Sequence, residues 1–206
     1  MMKPPIYEQY GQPDRLQEMQ GISPEIGAKI AAIVTFGSAI EYHIERYIWH
    51  ALKIPYKGVR PKTDLMKITD MIGMLERHAA TLTPVNERRF LETWCKAARL
   101  AFEVRNDIVH GLPAKAGNTV IFNRNPQWHG ELRRKDFSDF WAEDYALDRM
   151  RAFMAVIARI IIELQVGRFK LSEISSQDAA PKAIREVMET LEELADRFYN
   201  PTFEKY

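Results

Sequence analysis

A chain of 206 residues with 46% apolar content is long enough for one globular domain with a real core, which excludes a disordered or fibrous protein. A net charge of +1 excludes a generally basic nucleic-acid coat but leaves room for a local basic patch. The single cysteine, Cys95, excludes an internal disulfide and fits a reducing compartment.

Residues 1–22 carry Pro4, Pro5, Gly11 and Pro13 and predict an extended lead-in, with one short turn around 15–19. Tyr7 and Tyr10 are placed to pack back on the body. No hydrophobic signal core stands in the first twenty residues, so the expectation is a cytoplasmic protein. Ser23-Pro24-Glu25 is a helix start, and the helix runs to about Leu52. Its stripe is Ile26, Ile30, Ile33, Gly37, Ile40, Ile44, Tyr47 and Ala51. Gly37 and Ser38 in mid-helix imply close approach of another helix. His43 and His50, seven apart, do not make a two-histidine metal pair.

After a loop over 54–62, Thr63 or Asp64 is expected to cap a second helix to about His78, with Leu65, Ile68, Ile72 and Leu75 inward. A long helix then runs from Pro84 to about His110. Phe90, Trp94, Ala97, Ala101, Val104 and Ile108 step by three and four along its buried face. Pro113 and Gly117 break it. A short hairpin is predicted, roughly 118–123 with 130–136, turning at Asn125-Pro126-Gln127. It carries Arg124, Trp128, His129, Arg133, Arg134 and Lys135. These can stack on bases and meet phosphates, or they form a charged, solvated edge.

A fourth helix starts at Asp144 or Asp148 and runs to about Val166. It is apolar on more than one face, so it is central to the bundle or lies in a dimer interface. Its run 153–164 is too short, and too charged at Arg159 and Glu163, to span a membrane. A polar linker at 175–180 precedes a last helix over 181–199. The fold class expected is therefore all-α, a bundle of four to five main helices with a short β-hairpin after the third. Residues 23–167 form the bundle, and 168–206 add a linker and a helix packed on the same domain.

The stretch that invites chemistry is Val104-Arg105-Asn106-Asp107-Ile108-Val109-His110-Gly111. Histidine titrates near neutral pH and can take a proton from a ribose 2′-hydroxyl or give one to a leaving oxygen. Arginine's planar fork holds phosphate oxygens and stabilises the charge of the transition state. Asn106 can fix the histidine ring or the phosphate. On an ideal helix Arg105 and His110 differ by roughly 140° and lie about 7.5 Å apart along the axis. Arg105 must reach around, the helix must end before His110, or two copies must face each other. The alternative is structural: Arg105 pairs with a carboxylate such as Glu41, while Asn106 and His110 cap the helix end with Gly111 in the left-handed conformation. No glycine-rich phosphate loop, zinc spacing, HExxH or serine elbow competes, and no cofactor is expected.

Arg followed by Asn, then His five residues after the Arg at a helix end, resembles the signature of the HEPN superfamily of small helical domains. The likeness covers these eight residues and the helical layout before them. It implies a metal-independent endoribonuclease, of a kind found among toxins and defence effectors, in which Arg and His of two protomers meet across a two-fold axis. It implies Arg105 and His110 as catalytic, Asn106 as their assistant, and Glu41 on the early helix in support. The expected partners are RNA, a second copy of the chain and an antitoxin or other protein. The competing expectation is a non-catalytic helical dimer that binds RNA or protein.

Overall fold

A computed structural model describes residues 5–55, 57, 63–124, 139–142 and 145–194, with residues 193 and 194 described by their backbone alone. Two short helices, α1 (Ile6–Gly11) and α2 (Pro13–Met19), stand where an extended lead-in was expected. The prolines sit where helices accept them. Pro5 precedes α1 and Pro13 opens α2, positions whose amide needs no partner within the helix. Tyr7 and Tyr10 do not pack back, being 70% and 91% exposed.

The Ile26 amide donates to the Ser23 hydroxyl, and Pro24 opens α3 (Pro24–Ala51) as the sequence predicts. Ile33, Gly37, Ile40, Ile44 and Tyr47 of the expected stripe are buried. The next helix starts later than expected, as α4 (Ile68–Thr81). Thr63 does not cap it. Its buried hydroxyl donates to Glu45 Oε1 at 2.8 Å and accepts from Trp49 Nε1 at 2.5 Å. Leu65, expected inward, stands 94% exposed in the turn before α4, at a φ of 69°.

Helix α5 (Val85–His110) carries the expected buried face. Trp94 lies fully buried in it and donates its indole N–H to the Ile157 carbonyl at 3.1 Å. Trp94→Phe should remove that bond and some volume, lowering stability by about 1–3 kcal/mol. Urea titration checks this: the midpoint should fall with an unchanged slope.

The predicted hairpin is corrected. Strand β1 (Leu112–Ala116) follows α5 directly and pairs antiparallel with β2 (Thr119–Asn123). The turn is Gly117-Asn118, with φ +60° at the glycine, the first central position where a type II′ hairpin needs it. Pro113, read as a breaker, lies on an edge strand, where a missing amide donor costs little. A third strand, β3 (Phe140–Trp141), pairs with the other side of β2. The expected return strand at 130–136, and its cationic and aromatic residues from 125 onward, lie outside the described residues.

Helix α6 (Ala146–Gln165) packs against α3 and α5. Asp148 lies in its first turn and pairs with Lys29 of α3 at 2.7 Å, which holds the Asp148 carboxyl below its ordinary range. Ile157, Ile160, Ile161 and Leu164 are buried, and Phe153, Val156 and Ile162 pack on the same core. Of the two explanations for its all-round apolar surface, the central position applies. Excess surface on this helix therefore gives no argument for a dimer. Helix α7 (Ala179–Leu194) lays Ile184, Val187 and Leu191 into the core against α5 and α6. Residues 195–199 of the predicted last helix lie outside the described residues. The chain is mainly α-helical, with a small three-stranded antiparallel sheet. Among the described residues no helix is long and apolar enough to cross a membrane.

Candidate functional site

The end of α5 gathers the polar residues singled out by the sequence. Ala101, Phe102, Val104 and Ile108 bury one face of it, and Arg105, one residue beyond Val104, is carried to the edge of that face. Arg105 is half-buried where α5 meets α3 and α6. Gly37 makes the room. A Cβ there would lie 3.4 Å from Met154 Cε, 3.6 Å from Arg105 Nε and 3.8 Å from Phe102 Cε1. The mid-helix glycine thus marks a close approach, as its position in α3 predicts.

The Arg105 guanidinium donates from Nη1 to Asn106 Oδ1 at 3.1 Å. Its Nε–H is buried and meets no acceptor. A buried donor left this way costs roughly 1–3 kcal/mol. Glu41, one turn beyond Gly37 on α3, is half-buried and makes no ion pair among the described residues. The structure therefore joins Glu41 neither to Arg105 nor to the surface cations considered for it. Arg46 instead lies 3.3 Å over the Tyr42 ring.

His110 is exposed at the last position of α5. Beside it Val109 and Leu112 are 36% and 62% exposed. Because α5 stays helical through His110, the offset of roughly 140° from Arg105 applies. Arg105 is turned into the junction with α3 and α6 and His110 toward solvent. One copy of the chain does not bring them to one small target. Asn106 is spatially between them in sequence order, but its carbonyl oxygen is taken by Arg105.

Two features at this helix end differ from the reading of the motif. Gly111 is not left-handed: its φ of −73° and ψ of 145° are extended. It is a glycine because space is lacking. A Cβ would stand 2.5 Å from the Asp107 carbonyl oxygen and 2.7 Å from Phe122 Cβ. Asp107, given no role by the sequence, pairs with Arg124 at 2.8 Å, both side chains less than one-fifth exposed. The signal for it was present. A carboxylate in the last turn of a helix opposes the helix dipole and calls for a cation. Arg124, read as a phosphate-facing residue, instead ties β2 to α5, and its amide donates to Asp139 Oδ1 at 2.6 Å.

Elsewhere His43 Nδ1 lies 2.9 Å from Gln165 Oε1, which occupies it structurally, and His50 is exposed. Burial pushes the Cys95 thiol well above its ordinary range, consistent with packing and not nucleophilic attack. Among the described residues no three His, Cys, Asp or Glu side chains converge as a metal centre requires. A groove of about 450 Å³ between α5 and α7, floored by Phe90 and Ile184 and edged by Arg89, Lys96 and Arg185, holds none of the motif residues. Comparison with protein-family models, with curated proteins and with solved structures gave no match.

Proposed function

We propose that the chain is a HEPN-like, metal-independent endoribonuclease whose active centre is completed by a second copy across a two-fold axis. The observation that carries this is the disposition of Arg105 and His110. They stand on one uninterrupted helix, turned apart, so two α5 ends facing each other are the remaining way to bring an arginine and a histidine together. The unpartnered Arg105 Nε–H supports the same reading, since it is a donor held near the surface without an acceptor.

In that centre the ribose 2′-hydroxyl attacks the adjacent phosphorus. His110 takes the hydroxyl proton, and a histidine returns a proton to the departing 5′-oxygen. Arg105 binds the phosphate oxygens as charge builds on them. The products are a 2′,3′-cyclic phosphate and a 5′-hydroxyl. Asn106 holds the Arg105 fork in place through its side-chain carbonyl. Glu41, one turn from Gly37, acts at most through the field it adds near Arg105.

A complementation experiment tests the reading. Arg105→Ala and His110→Ala proteins should each be inactive on RNA. Mixed at equal concentration, they should recover roughly a quarter of wild-type cleavage, because half the dimers are mixed and each holds one intact pairing. No recovery, with wild type active, would place the site within one copy. Cleavage should survive chelator.

A second reading has an observation of its own. The Arg105 stem fits closely between Gly37, Phe102 and Met154, as a purely structural arginine would. On that reading the chain is a non-catalytic helical dimer that binds RNA or protein, an antitoxin included. Wild type that binds RNA without cutting it would favour this reading.

A further inference from the structure

The N-terminal helices stand apart from the rest of the chain. Neither α1 nor α2 holds a buried residue. Ile6, Tyr7, Tyr10, Leu16 and Met19 are 77%, 70%, 91%, 53% and 70% exposed. Scattered exposed apolar residues are ordinary, but five large ones within fourteen residues make a patch. Helices of six and seven residues also do not sustain themselves in water. Their order has to come from packing, and the body of this chain supplies none.

The root of this arm is fixed. At Gly21 a Cβ would lie 3.2 Å from Lys115 Cβ and 3.3 Å from Val120 Cγ2, so the chain presses on the β1–β2 hairpin there. That hairpin leaves directly from the end of α5. The arm therefore starts beside the surface that carries His110, where Val109 and Leu112 are also exposed.

We propose that the arm docks on a second copy of this chain. Two arms exchange across the two-fold axis, each laying Tyr7 and Tyr10 on the apolar surface around Val109 and Leu112 of the other copy. The inference rests on the facing α5 ends of the proposed function for its docking surface, but it does not require catalysis. The size is adequate. Two tyrosines bury roughly 300–500 Å² when covered. With Ile6, Leu16 and Met19 added, two arms approach the roughly 1,200–2,000 Å² of a stable interface. The reach is adequate too, since α1 and α2 each extend about 10 Å. An exchanged contact is also reciprocal, as a closed dimer requires.

Sedimentation of the full-length chain tests this with two variants. One carries Tyr7→Ser, Tyr10→Ser and Leu16→Ser; the other carries Leu112→Glu. None of these positions is buried, so circular dichroism should show the body intact. Wild type should be a dimer, and each variant should raise its dissociation constant about tenfold or more. An equally tight dimer in the arm variant overturns the arm exchange and leaves the facing helices standing. A monomeric wild type overturns both. A disulfide test gives the location: Tyr10→Cys protein mixed with Leu112→Cys protein should oxidise to a covalent heterodimer. A bond formed instead within one chain of the double variant would show that the arm folds back, and would overturn the proposal.

Discussion

His110→Ala should lower RNA cleavage by roughly 10²–10⁴-fold, the loss expected when a positioned acid–base group is removed. The side chain is exposed at the end of α5, so the variant should fold and melt like wild type. Arg105→Ala should cost a similar factor through lost stabilisation of the phosphate. It should also cost some stability, because the stem packs against Gly37 and Phe102. Arg105→Lys keeps most of the stem and the charge but loses the fork, so it should restore stability and little activity. Asn106→Ala should cost less than either, since Asn106 acts by holding Arg105. Rates on a defined RNA, with product ends identified, check the series. A His110→Ala protein that cuts as fast as wild type would leave the motif as a structural helix end.

Gly111→Ala should be the most damaging single methyl group at this end of the molecule. Its φ and ψ are open to any residue, so backbone strain is not the cause. The new Cβ would stand 2.5 Å from the Asp107 carbonyl, 2.7 Å from Phe122 Cβ and 2.9 Å from the Phe122 carbonyl carbon. Two of these are backbone atoms and none is the end of a flexible side chain. Either α5 or β2 must move, and the Asp107–Arg124 pair that joins them moves with it. A loss of about 3 kcal/mol, the upper part of the overpacking range, is expected. Activity should fall further than stability explains, because His110 rides on the displaced turn. Alanine at Gly117 makes the contrast: nothing lies within 4 Å of its Cβ, and only the φ of +60° costs. That variant should lose about 1 kcal/mol. Thermal melts of the two proteins side by side check this, and a Gly111→Ala midpoint equal to wild type would refute the steric account.

The long helices were readable because each repeats its apolar residues at helical spacing over four or more turns. Ser23-Pro24 marked the start of α3 because capping is a local interaction. What escaped was decided by partners distant in sequence. Thr63 has the chemistry of a cap, yet Glu45 and Trp49 engage it. Leu65 fits the apolar period, but the helix that would have buried it begins three residues later. Strand β1, Leu-Pro-Ala-Lys-Ala, has neither alternation nor β-branched residues, and it is a strand because β2 lies beside it. At the candidate site, residue types and spacing were legible. That Arg105 meets Gly37 and that Asp107 meets Arg124 depended on how α3 and β2 come to α5.

Cys95 offers a use beyond packing. It is the chain's one cysteine, fully buried on α5, with its thiol held protonated by burial. A thiol reagent can reach it only when the surrounding core opens. Its rate of modification then measures how often α5 leaves its neighbours, in the way amide exchange reports local opening. The native sequence thus carries its own clock for breathing of the helix that bears Arg105 and His110. The same clock would register any ligand that slows that breathing.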